Sequence, residues 1–320
     1  AKRKTRRFVR IHSIGSGFTA SCALMIARPV LLVILTFVAV LIPDVWSEED
    51  FEPEMAFIPA GYFTAGSSEA ERALYRVPHH ESAAHRVYLP AYWIGRYEVT
   101  NEQYEVFIED GGYDDPSYWT PEGWKARREY GWTEPRCWRD PDYRGGRHVN
   151  LPVCALSWYE AQAYCRWLSQ KTGRPYRLPT GLEWEKAARG EDGRIFPWGD
   201  EWSPVRCNWY GYLGEMRKKK GDTDRFLGLS PVGSFENGKS PWGCFDMAGN
   251  VLEWCSDSWS ENGAAYRVFR GGCFRSNNPR FMRAAWRGGT YPDVGHVYWG
   301  IIGFRVARDA EAVETENTME

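Results

Sequence analysis

The chain is poor in the residues on which many reactions are built. It has six histidines, His12, His79, His80, His85, His148 and His296, and no CxxC pair or Cys/His spacing of the zinc-binding kind. That excludes a zinc finger or ribbon. None of its eight cysteines lies beyond Cys273. Neither sign of charge is in excess: 40 basic against 42 acidic residues leave a net charge of −2. No global field draws in nucleic acid, and no nucleic-acid partner is expected. No unit repeats at a fixed period, which excludes solenoids and propellers. The tripeptide RGG recurs at 144–146, 270–272 and 287–289. Its uneven spacing among aromatic residues is not that of a nucleic-acid-binding tract. Beyond residue 190 no long helical period is found, so that half reads as loops and short strands on a sheet.

What is abundant is aromatic surface, 16% of the chain with 17 Trp, together with 32 Gly and 19 Pro. Large rings bury much area per residue, so a loop-rich fold is stable without much regular structure. The N-terminus opens with the basic run "AKRKTRRFVR". It continues into "ALMIARPVLLVILTFVAVLI", Ala23 to Ile42, where Arg28 is the one charge. A helix of that length crosses a hydrocarbon core of about 30 Å, and Arg28 lies near enough to the basic end to snorkel. The acidic stretch "PDVWSEEDFEPE" follows. Basic before and acidic after predicts a cytoplasmic N-terminus and an exported, periplasmic remainder. A retained anchor is expected rather than a signal peptide cleaved near Val45 and Ser47. The expected organisation is a basic tail over 1–22, an anchor over 23–43, a linker over 44–54, one domain over 55–309 and a disordered acidic tail over 310–320. Seven cysteines then lie in the exported domain, where disulfides are allowed. Their odd number leaves at least one free thiol, and a mix of buried thiols with one or two disulfides is expected.

Three helix starts are marked by capping boxes: Thr100 with Gln103, Ser157 with Glu160, and Thr180 with Glu183. In each the hydroxyl accepts from a free backbone N–H, and the Glu or Gln reaches back to the cap. In the second helix Trp158, Ala161, Cys165 and Leu168 share one face, which makes Cys165 a core thiol. "EMAFIPAGYFTAGS" reads as strand and turn. Val87 and Leu89, then Tyr92 and Ile94, alternate as strands do.

Eight stretches in one order carry a family likeness: "FIPAGYFTAGS", "YEVTNEQYEVFI", "LPVCALSWYEAQAYCRWLS", "RLPTGLEWEKAARG", "FPWGD", "GCFDMAGNVLEW", "FRGGCF" and "GFRVARD". Together they resemble the formylglycine-generating enzyme / sulfatase-modifying-factor domain over about residues 54–309. The resemblance implies an α+β, C-type-lectin-like fold with little regular secondary structure, here preceded by one transmembrane helix. The family's founding activity oxidises a sulfatase cysteine with oxygen and copper, held by two cysteines shortly after the RGG element. A soft Cu(I) ion favours such a thiolate pair. The corresponding stretch here, "FRSNNPRFMRAAWR", has no cysteine, so no copper is expected. Cys273 stands where the family usually has Ser. It and Ser276 are the remaining candidates for a catalytic role, with Cys255 a conceivable partner for Cys273. Relatives of the ergothioneine pathway bind iron through histidines of an additional helical domain; His79, His80 and His85 read instead as exposed loop residues. The resemblance further implies structural Ca²⁺ on hard oxygen ligands. One set is the carboxylates of Asp246 and Glu253 with the carbonyls of Gly249 and Val251. The second is Asn208 and Asp224 with the carbonyls of Trp209 and Phe226. The competing reading is that Asp246 and Glu253 cap turns or pair with arginines.

Three functions stay open. The first is a non-catalytic, membrane-anchored accessory subunit of a bacterial membrane complex, of respiratory or photosynthetic type, with integral membrane partners. The second is an oxidoreductase of the same family with altered chemistry, a reading kept open by a periplasmic relative of siderophore maturation that oxidises without the copper pair. The third is a maturation factor that binds a peptide in the old substrate groove. Arg275, Arg280, Arg283 and Arg287 would bind an anionic substrate or pair with carboxylates. The segment 113–146 would form a docking face or pack on its own domain.

Overall fold

The computed structural model describes residues 51–77, 81–140, 150–209, 226, 228–261, 263–297 and 300–311. The expected basic tail, anchor and acidic tail over 312–320 lie outside these, as do His12, His79, His80, His148 and Asp224. Among the described residues no helix is long and apolar enough to cross a membrane.

Short strands and then a run of helices make up the N-terminal part of the domain, and a sheet with long loops follows. Strands β1 (Met55–Ile58), β2 (Gly61–Ala65), β3 (His85–Leu89) and β4 (Tyr92–Gly95) come first, with helix α1 (Glu69–Tyr75) between β2 and β3. Helices α2 (Asn101–Glu109), α3 (Pro121–Tyr130), α4 (Trp158–Thr172) and α5 (Gly181–Arg189) follow. Then come β5 (Leu252–Glu261), β6 (Ala264–Arg270), β7 (Gly288–Thr290), β8 (His296–Val297), β9 (Gly300–Gly303) and β10 (Ala307–Asp309). They form a three-stranded sheet β1-β4-β10, a β2-β3 pair and a five-stranded sheet β7-β6-β5-β9-β8. In the first sheet β4 is flanked on both sides, Met55 opposite Gly95 and Ala307 opposite Ile94.

All three expected capping boxes form. Gln103 N–H donates to Thr100 Oγ1 at 3.3 Å, Glu160 N–H to Ser157 Oγ at 3.2 Å and Glu183 N–H to Thr180 Oγ1 at 3.1 Å. The cap backbone N–H donates back in each case, Ser157 to Glu160 Oε2 at 2.6 Å. Helix α3 was not foreseen, although Thr120 caps it, Pro121 occupies its first turn and Gly131 ends it in the left-handed region. Those are the usual start and stop residues of a helix.

The largest apolar cluster packs α2 and α4 against β5. Tyr104 stacks on Tyr164 with ring centroids 5.4 Å apart, and Phe107 meets Trp167 edge-on at 5.6 Å. Tyr113, Tyr118, Trp119 and Trp138, from the segment also considered as a docking face, are buried in the same cluster. Residues 113–140 of that segment therefore pack on their own domain through these rings. Trp158, Ala161, Cys165 and Leu168 are buried as the α4 face requires.

The expected disulfides are absent among the described residues. Cys137, Cys154, Cys165, Cys207, Cys244, Cys255 and Cys273 are all free thiols, and all but Cys137 are buried. The six buried ones behave as small apolar side chains dispersed through four clusters, in a core large enough to hold without staples. Cys255 and Cys273 lie in different clusters and do not pair.

The capping boxes give a direct test. Ser157→Ala should destabilise the domain by about 1 kcal/mol in a denaturant titration, with an unchanged denaturant slope.

Candidate functional site

The segment in which the resemblance puts catalytic cysteines begins where β6 ends. Gly271 and Gly272 turn the chain with φ of 91° and 69°. Cys273 N–H then donates to Ser276 Oγ at 3.0 Å, and Ser276 N–H to the Cys273 carbonyl at 2.9 Å. The Ser276 hydroxyl lies 3.7 Å from Cys273 Sγ. Both residues are buried, and burial pushes the Cys273 thiol up. Ser276 thus closes a turn; among the described residues no histidine or carboxylate bonds to it as a base.

The arginines of this segment have definite partners. Arg283 is fully buried and donates to Ser67 Oγ, Glu71 Oε1 and Glu81 Oε1, each at 2.8 Å, and to Glu81 Oε2 at 2.9 Å. From Glu71 the charges alternate onward. Arg189 lies 3.7 Å from Glu71 Oε2 and 2.9 Å from Glu185 Oε1, and Arg270 reaches Glu185 Oε2 at 3.1 Å. Glu81, Arg283, Glu71, Arg189, Glu185 and Arg270 form one buried chain of three carboxylates and three guanidinium groups. Arg275 and Arg280 lie over the neighbouring rings of Phe274 and Phe281, 5.4 and 4.6 Å from the centroids.

A second buried charge group surrounds the expected calcium residues. Glu253 is fully buried, and Arg305 clamps it with Nε to Oε2 at 2.6 Å and Nη2 to Oε1 at 2.7 Å. Trp184 Nε1 donates to the same Oε2 at 2.8 Å. Its carboxylate therefore pairs with an arginine, the competing reading of that residue. Asp246 is also buried, sits at φ 55°, and accepts from the Gly233 N–H at 2.7 Å. Burial, aided by the Glu253 charge and opposed by the Gly233 N–H and Arg305, pushes its carboxyl up to about 6.

Glu98 completes this group, and the sequence reading missed it. Its Oε1 accepts from Asn250 Nδ2 at 3.1 Å, while its Oε2 is buried without a hydrogen-bond partner. Burial holds its carboxyl well above the usual range, and Asp246 and Glu253 add to the shift against the pull of Arg305. Three carboxylates thus share one guanidinium in a region shut off from water. The signal in the sequence was an acidic residue set between Tyr97 and Val99, next to a strand.

The structure brings Asn208, of the second expected calcium set, beside Gly249, of the first. Gly249 is bridged to Asn208, and a Cβ on Gly249 would stand 2.2 Å from the Asn208 carbonyl oxygen. At φ 89° only glycine serves there. Asn208 Nδ2 donates to the Gly228 carbonyl at 2.9 Å and to Asn250 Oδ1 at 3.2 Å. Val251 is buried in the core, Trp209 packs edge-on against Trp202 at 4.8 Å, and Phe226 is exposed. No group of three or more His, Cys, Asp or Glu among the described residues forms a ready metal cluster. A cation here would rely on carbonyls as well as on Glu98 and Asp246.

The fold and the motif order are those of a known domain. A family model described as "Sulfatase-modifying factor enzyme 1-like domain" matches residues 44–310. The chain belongs to that family. The hercynine oxygenase of Mycolicibacterium smegmatis is 31% identical over 278 residues, covering 76% of this chain and 59% of that protein. This chain therefore spans just over half the length of that relative. The mouse "Inactive C-alpha-formylglycine-generating enzyme 2" is 32% identical over 286 residues, 81% of this chain and 87% of that one. Among solved structures, PvdO from Pseudomonas aeruginosa is similar with a TM-score of 0.55 and 26% identity, covering 81% of this chain and 95% of that one. The α+β, C-type-lectin-like fold expected from the sequence is thereby established.

The buried charge chain yields a prediction. Arg283→Met leaves Glu71 and Glu81 buried and short of a cation, so it should cost about 3–5 kcal/mol in a reversible unfolding titration.

Proposed function

We propose that this protein is a non-catalytic, membrane-anchored member of the family that serves as an accessory subunit of a bacterial membrane complex. One observation carries the reading: the segment that would hold the catalytic cysteines has none, and its buried polar groups work for the fold. Ser276 closes the Cys273 turn, and Arg283 neutralises Glu71 and Glu81. The apolar run from Ala23 to Ile42 supports the anchor, with the main domain periplasmic. The likeness to a relative named as inactive supports the loss of chemistry. The likeness to a hercynine oxygenase favours the second reading, an oxidoreductase of altered chemistry.

Calcium belongs to the same proposal as a brace. The orphaned Oε2 of Glu98 and the raised carboxyl of Asp246 fit a hard divalent cation, which would neutralise the surplus negative charge. Glu98, Asp246 and nearby backbone carbonyls would hold it, while Glu253 stays with Arg305. No reaction step is assigned to the ion.

Two experiments test these claims. After gentle detergent extraction of the native protein, mass spectrometry should find a fixed set of membrane proteins, and metal analysis of the same band should find calcium without copper. A solitary protein carrying copper or iron overturns the accessory reading. Separately, EGTA should lower the Tm of the purified chain and calcium should restore it, with Asp246→Asn insensitive to both. A Tm indifferent to calcium removes the brace.

A further inference from the structure

Two of the free thiols are placed differently from the rest. The Arg136 N–H donates to the Ala155 carbonyl at 3.2 Å. Arg136 immediately precedes Cys137, and Ala155 immediately follows Cys154, so this bond sets the two cysteine-bearing segments side by side. Both segments are anchored. Trp138 is buried against Tyr104, with ring centroids 6.1 Å apart. Ala155 holds φ 60° and packs so closely on Gly295 that a Cβ there would stand 2.4 Å from the Ala155 carbonyl. Cys154 is buried in one apolar cluster with Phe274, and the Arg275 guanidinium lies over the Phe274 ring. The two thiols and Arg275 feel one another's charge: a Cys137 thiolate disfavours a Cys154 thiolate, and Arg275 favours both. Cys137 is half-buried and open to a reagent, whereas Cys154 is buried. One accessible thiol with a neighbouring buried thiol is the arrangement of an attacking and a resolving cysteine.

We propose that Cys137 and Cys154 form a reversible dithiol–disulfide pair that closes the chain between them beside the segment beginning at Phe274. The co-substrate is a small disulfide, RSSR, of the glutathione class. The Cys137 thiolate attacks one sulfur of RSSR, forms Cys137–S–S–R and expels RS⁻. The Cys154 thiolate then attacks the Cys137 sulfur, forms the internal disulfide and expels the second RS⁻. Two cysteine thiols are oxidised, one RSSR is reduced to two RSH, and the two cysteine protons end on the departing thiolates. Burial pushes both thiols up, and Asp140 adds to the shift at Cys137 while Arg136 and Arg275 oppose it. Closure therefore accelerates as pH rises. The other described thiols lack this pairing of an accessible cysteine with a second one in an adjoining segment.

The test uses the purified full chain, oxidised glutathione, maleimide labelling after denaturation, and intact mass. Oxidation should remove two maleimide-reactive thiols and about 2 Da, and a non-reducing digest should contain one linked pair of peptides, those with Cys137 and Cys154. Dithiothreitol should reverse both changes. Cys154→Ser should instead trap glutathione on Cys137, and Cys137→Ser should show neither closure nor adduct. Should Cys154→Ser not fold, Cys137→Ser and the wild-type digest decide the matter. A stable glutathione adduct on the wild type overturns the proposal. So does a link from Cys137 to any other cysteine, or an oxidised protein with all thiols still reactive.

Discussion

The buried chain of six alternating charges constrains the rest of the structure. Glu81, Arg283, Glu71, Arg189, Glu185 and Arg270 come from five separate parts of the sequence, and each is at least 96% shielded from solvent. A buried ion without a partner costs several kcal/mol, so no member is tolerable until the others arrive. The chain therefore acts as a condition on assembly. The α1 region, α5, the end of β6 and the 279–283 segment must be docked together or not at all. Hydrophobic packing alone accepts many arrangements of large rings; the fixed order of signs accepts one.

The Glu98, Asp246 and Glu253 group is the counterpart in which the balance of signs fails. One arginine, Arg305, faces three carboxylates. It is also used structurally, donating to the carbonyls of Gly95 and Phe245 at 2.9 Å each. The first charge group is self-sufficient, and the second calls for a cation or for protons. Two buried polar regions of one domain thus differ in kind, although both are built from Glu and Arg on the same short elements.

Much of the fold was legible because its signals are local. Thr100, Ser157 and Thr180 mark helix starts that need no tertiary information, and the alternation from Val87 to Ile94 marks two strands. The ordered motifs carried the family, since the elements they encode recur in sequence order. What was not legible depended on distance along the chain. Glu98 meets Asn250 across 152 positions, and Arg283 meets Glu81 across 202; no spacing rule reaches that far. The choice for Glu253 between metal ligand and ion pair turned on Arg305, which stands 52 positions on, between β9 and β10. Helix α3 was readable from Thr120, Pro121 and Gly131, within a segment read only as a docking face or a packed insertion.

Strand β4 carries β1 on one side and β10 on the other, so the first and last strands of the domain are held by the same four residues. A pull on the C-terminal end is borne by the hydrogen bonds of β10 to β4 and to Arg177, whereas at the N-terminal end Phe51, buried against Trp167, and Glu52, paired with Arg174, stand ahead of β1. The two ends of the domain are therefore held by different means, one by strand pairing and the other by the aromatic core itself.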